Sequence, residues 1–370
     1  MKKLDEDTAR IASLRTRVLD WYLRNRRDLP WRRSTNPYAI WVSEIMLQQT
    51  RVAVVVDRYQ TFMQRFPTLV SLALAPEQEV LALWSGLGYY RRARLLHKAA
   101  QFVAANLEGN LPERSEELRT LPGIGAYTAA AVASIAHGEP AAVVDGNVER
   151  VLCRLAGWEA GTRKGGGAPL RRKIEDLAGR LLDPARPGDF NQAIMELGAT
   201  VCTPRSPQCL VCPLMADCKT RGEHKTPRRE RMTSRMVAYA LSVRAGTARG
   251  KRHAASAREV LLELRPATLT VMPGMWELPT LLHSDVAEKD VRLTLRHAIM
   301  QVNYYVRIQT VHERDVGAVT KPGGERRWVP LPEAASMALT GLARKVLVRT
   351  HLLPSPAFDA LASHAGRETS

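Results

Sequence analysis

The sequence predicts a multidomain protein, an all-α region followed by a smaller α+β domain, on three observations. Apolar residues recur at helical spacing in the first part of the chain, with no strand-like alternation before about residue 235. Beyond that point Val237, Tyr239, Leu241 and Val243 alternate with small or polar residues, as in a strand. At 370 residues the chain is long enough for two or three separate cores. The expected boundaries are 1–223 for the helical region, 224–235 for a basic exposed linker, 236–352 for the second domain and 353–370 for a disordered tail.

Charge narrows the function class. Lys and Arg number 54 against 37 Asp and Glu, a net charge of +17, with pI ≈ 10.1. That excess favours a polyanionic partner, nucleic acid before an acidic membrane surface. A solvated basic surface is the bland alternative. No apolar run reaches transmembrane length, and the first residues lack the apolar core of a signal peptide. A cytoplasmic, nucleoid-associated protein without a membrane partner is therefore expected. In that compartment the five cysteines are not expected to form structural disulfides.

The helices are read in order. Residues 8–28 carry Ile11, Leu14, Val18, Trp21 and Tyr22 at helical spacing, and Leu29-Pro30-Trp31-Arg32 ends that helix. Asn36-Pro37 starts the next, whose apolar positions 40, 41, 45 and 47 make a buried face. Glu44 lies beside that face, where half-burial would raise its pKa. A solvated helix Glu is the commoner fate. Further helices are expected at 52–65, 76–84, 91–106 and 114–120. Between two of them, Gly86-Leu87-Gly88-Tyr89-Tyr90-Arg91-Arg92 combines flexible backbone, stacking rings and phosphate-seeking Arg. The alternative is a turn with its tyrosines packed in the core.

Residues 118–151 organise the rest. Leu121-Pro122-Gly123-Ile124-Gly125 is a tight turn, followed by a small-residue helix over 127–137 with Gly138 and Pro140 as stops. Val143-Val144 then deliver Asp145 just before a helix beginning near Asn147. A turn feeding a helix N-terminus offers unpaired N–H groups that suit a phosphate. Asp145 reads equally as that helix's N-cap. Helices at 169–182 and 190–198 follow a glycine-rich loop at 164–167.

Cys202, Cys209, Cys212 and Cys218, spaced C-x6-C-x2-C-x5-C, favour a metal centre. Zinc and a four-iron cluster both accept four thiolates, and the single C-x2-C pair favours the cluster only slightly. Cys153 reads as a core residue. In the second domain, strands are expected at 260–264, 275–278, 303–311 and 327–329, with a helix at about 341–350.

Asp145 beyond the Gly123–Gly125 hairpin, the cysteine spacing and the run Val42-Ser43-Glu44-Ile45-Met46-Leu47-Gln48-Gln49-Thr50 together resemble the helix-hairpin-helix DNA glycosylases of the endonuclease III superfamily. Within it the chain is similar to the MutY-type adenine DNA glycosylases, over Arg27 to Cys218. The resemblance implies a helix-hairpin-helix fold and a [4Fe–4S] cluster on the four cysteines. It also implies release of adenine mispaired with 8-oxoguanine or guanine in double-stranded DNA, by a monomer. Lyase relatives carry a Lys just after the hairpin glycines; Tyr127 stands there, so a monofunctional enzyme is expected.

By the same resemblance Glu44 protonates adenine, Asp145 stabilises or captures the sugar cation, and Tyr127 and Asn147 position them. Arg27, Trp31 and Arg32 line the pocket for the flipped base. Gln48, Gln49 and Thr50, with Leu87, Gly88 and Tyr89, wedge the duplex and contact the opposite base, Tyr89 intercalating. Pro273-Gly274-Met275-Trp276-Glu277-Leu278-Pro279 resembles the MutT-like (Nudix-like) C-terminal domain of MutY proteins. No Glu-dense helix of the nucleotide hydrolases is present, so lesion recognition is expected rather than hydrolysis. The Phe-Ser-His loop of the family is replaced by Ile299-Met300-Gln301, with Gln301 or Asn303 as the candidate substitute, and weaker discrimination is expected. The competing readings are a glycosylase for another base, such as thymine opposite guanine, and a non-catalytic Fe–S DNA-binding protein.

Overall fold

The computed structural model describes residues 2–159, 167–222, 231–246, 258–299 and 301–354. The glycine-rich loop at 164–166, most of the expected linker, Met300 and the tail from residue 355 lie outside the described residues. The chain divides into two compact units, residues 1–74 with 95–228, and residues 75–94 with 229–370. In chain order the helices before the first strand are α1 (Lys2–Asn25), α2 (Pro37–Leu47), α3 (Val52–Arg65), α4 (Leu69–Ala73), α5 (Glu77–Leu83), α6 (Arg91–Asn106), α7 (Ser115–Leu118), α8 (Ala126–His137), α9 (Gly146–Ala156), α10 (Gly167–Leu181) and α11 (Pro187–Thr200). Among them only α4 was not expected from the sequence.

Local chemistry sets the helix ends of the first unit. Asn36 caps α2, its side chain accepting from the Tyr38 and Ala39 N–H groups, with Pro37 in the first turn. Gly138, at φ 71°, closes α8 in the left-handed region. Glu139 reaches back to the start of α7, accepting from Ser115 N at 2.6 Å and Ser115 Oγ at 2.8 Å. One core joins α1, α8, α9, α10 and α11, and Cys153 is buried in it as expected.

Helix α11 lies close against α8 and α9. A Cβ on Gly188 would stand 2.6 Å from Ser134 O, and one on Gly198 would stand 2.7 Å from Asn147 Cβ. Glycine at both positions lets α11 meet the backbones of α8 and α9. Between them, buried Asn191 donates to Ser134 Oγ and Ala141 O, both at 2.8 Å, and accepts from Val143 N at 3.2 Å. These bonds hold the extended segment that leads into Asp145.

The second unit contains α5, the loop after it and two sheets. β1 (Thr233–Leu241), β2 (Val243–Ala245), β3 (Arg258–Leu264), β4 (Trp276–Glu277), β5 (Val291–Ile299), β6 (Val302–Thr310) and β7 (Arg326–Pro330) are accompanied by α12 (Val316–Val319), α13 (Leu331–Ser336) and α14 (Gly341–Arg349). One sheet runs β1-β6-β5, with β1 parallel to β6 and β5 antiparallel to it. The other runs β2-β3-β4, with β7 also on β3. Strand β5 was not expected. Among the described residues no helix is long and apolar enough to cross a membrane.

Asn191→Ala should lower stability by about 2–4 kcal/mol, since it takes the partner from a buried N–H and from a carbonyl and one of two bonds from the Ser134 hydroxyl. Urea denaturation monitored by circular dichroism measures it. A loss of roughly 0.5 kcal/mol or less, the usual range of a surface substitution, would show that Asn191 does not organise this segment.

Candidate functional site

Two carboxylates face one cleft of the first unit. Glu44, three-quarters along α2, is 6 % exposed although it is charged in water. The Tyr127 hydroxyl, from the first turn of α8, donates to Glu44 Oε2 at 2.5 Å and also lies 3.3 Å from Met195 Sδ. Burial pushes the Glu44 carboxyl up to about 7. The Tyr127 bond and the Arg32 charge oppose that rise, and the Asp145 charge adds to it. Burial, and then the two carboxylates, raise the Tyr127 phenol well above its usual value, so it serves as a donor.

Asp145 is the N-cap of α9. Its Oδ1 accepts from Asn147 N at 2.9 Å and Val148 N at 2.8 Å, and its Oδ2 accepts from Asn147 Nδ2 at 3.0 Å. Both sequence readings of Asp145, cap and site carboxylate, thus meet in one side chain. Arg150 continues the line, donating to Asn147 Oδ1 and Gly198 O at 2.8 Å each and to Cys202 O at 2.8 Å.

The cleft wall holds a residue that the sequence reading did not single out. Glu196 of α11 is 1 % exposed and accepts from Arg27 Nε at 2.6 Å, Arg27 Nη2 at 2.7 Å and Arg32 Nη2 at 2.8 Å. Burial alone would raise its pKa, but the two guanidiniums hold it at about 2. Its signal was a lone charged residue in the helical run 190–198, and its partners lie more than 160 residues away. Trp31 is buried and meets the Tyr59 ring edge-on at 5.4 Å.

The open cleft of about 1200 Å³ is bounded by Glu44, Tyr127, Asp145, Asn147, Glu196 and the expected Arg27, Trp31, Arg32, Gln48, Gln49, Thr50, Gly123 and Gly125. Gln48 donates to Thr128 Oγ1 at 3.2 Å, and Gln49 sits at φ 57°. Gly123, at φ 76°, would drive a Cβ to 2.6 Å from Leu95 Cβ. Only glycine fits that turn.

Leu87, Gly88 and Tyr89 belong to the second unit. Their loop is held from within. Trp84 Nε1 donates to Gly88 O, Arg92 Nη2 donates to Leu87 O and Gly88 O, and the Arg92 guanidinium lies over the Trp84 and Tyr89 rings. Leu87 is buried, while Tyr89 is half exposed at φ 47°. In the β5–β6 hairpin, Asn303 is buried and its Oδ1 accepts twice from Arg296, and Gln301 is exposed.

Cys202, Cys209, Cys212 and Cys218 surround one cavity backed by Val151, Leu155, Leu197, Val201 and Leu214. Among the described residues no three Cys, His, Asp or Glu side chains converge as a single ion would require. Four thiols around a cavity suit a larger thiolate-bound group such as a four-iron cluster. Arg154 Nη1 donates to Cys202 Sγ at 3.3 Å and to Thr203 O at 2.8 Å, supplying positive charge beside the thiolates. The loop is fastened to the end of α9 by Lys219 N to Leu155 O and Thr220 Oγ1 to Arg154 O.

Comparison with known proteins gives the geometry its relatives. Residues 42–172 match the model of the HhH-GPD superfamily base excision DNA repair proteins. Residues 202–218 match the iron-sulfur binding domain of endonuclease III. An adenine DNA glycosylase of Homo sapiens is 49% identical over 227 residues, 59% of this chain and 41% of that protein. One from Arabidopsis thaliana is 38% identical over 318 residues, 75% of this chain and 49% of that protein. The chain thus spans about half, or less, of the length of these relatives. A thermostable thymine-DNA glycosylase superposes with a TM-score of 0.52 at 28% identity, covering 60% of this chain and 99% of the other. An endonuclease III from a DNA complex superposes with a TM-score of 0.50 at 24% identity, covering 58% and 96%.

Glu196→Gln should destabilise the chain by about 3 kcal/mol, because two guanidiniums lose a buried counter-charge. The folded carboxyl titrates at about 2 against an ordinary 4.5. Its contribution is therefore complete above pH 4.5 and fades as pH falls toward 2. Denaturant titrations of both proteins across that range should converge at the acid end. A constant gap would contradict the ion-pair assignment.

Proposed function

We propose that this chain, whose residues 42–172 belong to the HhH-GPD superfamily of base excision DNA repair proteins and whose residues 202–218 are an endonuclease III-type iron–sulfur domain, is a monofunctional adenine DNA glycosylase. Its substrate is double-stranded DNA with adenine opposite 8-oxoguanine or guanine. One observation carries this reading: a buried, proton-holding Glu44 and Asp145, the N-cap of α9, share a single cleft. The relatives named adenine DNA glycosylase support it.

Adenine is a poor leaving group until it is protonated, and the sugar becomes oxocarbenium-like as the bond breaks. A base flipped into the cleft meets Glu44, whose carboxyl near 7 can donate a proton to the ring, best at N7. The C1′–N9 electron pair leaves with adenine. Asp145, in a fixed orientation, stabilises the sugar cation or captures it transiently. Water then adds at C1′ and returns its proton to the Glu44 carboxylate. Tyr127 and Asn147 orient the two acids. Glu196 fixes Arg27 and Arg32, which with Trp31 form the base pocket. Tyr127 offers no amine, so no Schiff base forms and the strand remains intact.

The iron–sulfur group, when bound, supplies a structural and electron-carrying centre. Cys202, Cys209, Cys212 and Cys218 would hold it. Residues 1–223 supply the catalytic region, 224–235 the linker and 353–370 the tail. Residues 236–352 form a MutT-like (Nudix-like) domain that recognises the lesion with the altered Ile299-Met300-Gln301 hairpin. The enzyme acts as a monomer on the nucleoid in the cytoplasm. Gln48, Gln49 and Thr50 contact the opposite base, the Leu87-Gly88-Tyr89 loop wedges the duplex, and Gly123 and Gly125 approach the phosphate backbone.

Single-turnover release of adenine from a duplex with adenine opposite 8-oxoguanine tests the proposal. Glu44→Gln and Asp145→Asn should each slow release by roughly 100-fold or more, and the wild-type product strand should break only on later alkaline treatment. Unchanged release in both variants would refute it. Preferential release of thymine opposite guanine would point to the activity named for the thermostable structural relative.

A further inference from the structure

We propose that Ser85 and Arg344 are positioning residues through which the β-rich part of the second unit holds the Gly86–Arg92 loop and so sets opposite-base discrimination. The proposal deepens the glycosylase reading and rests on it, since it requires that this loop enter the duplex.

Residues 75–94 pack with 229–370 in one compact unit, although more than 130 residues separate them in sequence. Three polar contacts make the junction. Arg344, in the first turns of α14, donates through Nε to the buried Ser85 Oγ at 2.9 Å, immediately before the loop. The same guanidinium donates through Nη2 to Ala335 O and Met337 O, which fixes its plane. On the other side of the loop, Arg94 Nη2 donates to Pro273 O, and from α5, ahead of the loop, Gln78 Nε2 donates to Gly274 O at 3.0 Å. The Pro273–Gly274 turn is itself held by hydrogen bonds. Arg265 holds Val271 O and Met272 O from behind, and a Cβ on Gly274 would meet Arg94 Nη2 at 3.2 Å.

Helix α14 is anchored just as firmly. Its N-cap, Thr340, accepts from Ala343 N and donates to the buried carboxyl of Glu277 at 2.6 Å. Glu277 stands three residues after Gly274, so the Pro273–Gly274 turn and, through Thr340, the helix that carries Arg344 are tied to one segment of backbone. Within the loop, Arg92 lies over the Tyr89 ring and binds the carbonyls beneath it. The aromatic tip is therefore preformed and braced at both ends, with Tyr89 half exposed. Preorganisation of this kind acts on a step that depends on where the ring sits, and much less on base removal itself.

The readout is the ratio of single-turnover rates for adenine opposite 8-oxoguanine and adenine opposite cytosine, with melting temperature recorded for each full-length variant. Ser85→Ala, Arg344→Ala and Arg344→Lys should each lower the ratio about tenfold, the scale of coupled neighbours, while Tyr89→Ala lowers it at least as far. Lysine should not rescue, because it cannot bond Ser85 and two carbonyls from one fixed plane. Adding Arg344→Ala to Tyr89→Ala should lower the ratio no further. Additive losses, rescue by lysine, or an unchanged ratio in both Ser85→Ala and Arg344→Ala would overturn the proposal while leaving the glycosylase reading intact. If Tyr89→Ala itself leaves the ratio unchanged, the assignment of the loop to the duplex falls, and the proposal with it. Loss of adenine release from every substrate by the wild-type chain would instead refute the function.

Discussion

The two-acid cleft depends on how closely α11 can lie against α8 and α9. At Gly188 and Gly198 a Cβ would stand within 2.7 Å of α8 or α9, and buried Asn191 adds three hydrogen bonds across the contact. From that position α11 presents Glu196 and Met195 to the cleft and fixes the start of α9, which Asp145 caps. Tyr127 in α8 then falls within reach of Glu44 in α2. A methyl group at either glycine would have to push α11 away from α8 or α9, the helices that carry Tyr127 and the Asp145 cap.

Two buried glutamates in the same cleft show how environment divides roles between identical groups. Glu196 has two guanidiniums on it and stays ionised, with its pKa at about 2. Glu44 has one neutral phenol donor and a nearby carboxylate, and burial carries it to about 7. The first is a structural anion that holds Arg27 and Arg32, and the second can hold and release a proton.

Much of this was legible in the chain. Caps and stops such as Asn36-Pro37, Gly138 and Asp145 placed helix ends because each acts within a few residues. The bounds of α3 and α6 and the shared cavity of the four cysteines followed from local pattern. Glu196 did not, because the partners that make it ionic are folded in from over 160 residues away. Strand β5 did carry a local signal, the alternation of Val291, Leu293 and Leu295 with Arg292 and Thr294, which the expected strands passed over. Neither the parallel pairing of β1 with β6 nor the grouping of residues 75–94 with the β-rich unit has any local signature; both arise from contacts across long stretches of sequence.

The central claim is that Glu44 works as an acid because its site holds a proton near neutrality. The single-turnover rate of adenine release against pH tests it most directly. The rate should fall as pH rises through about 7, where Glu44 loses its proton. In Tyr127→Phe, which removes the hydrogen bond that favours the ionised form, that fall should move to higher pH. A rate unchanged through pH 7, or a fall displaced to lower pH in the Phe variant, would contradict the account.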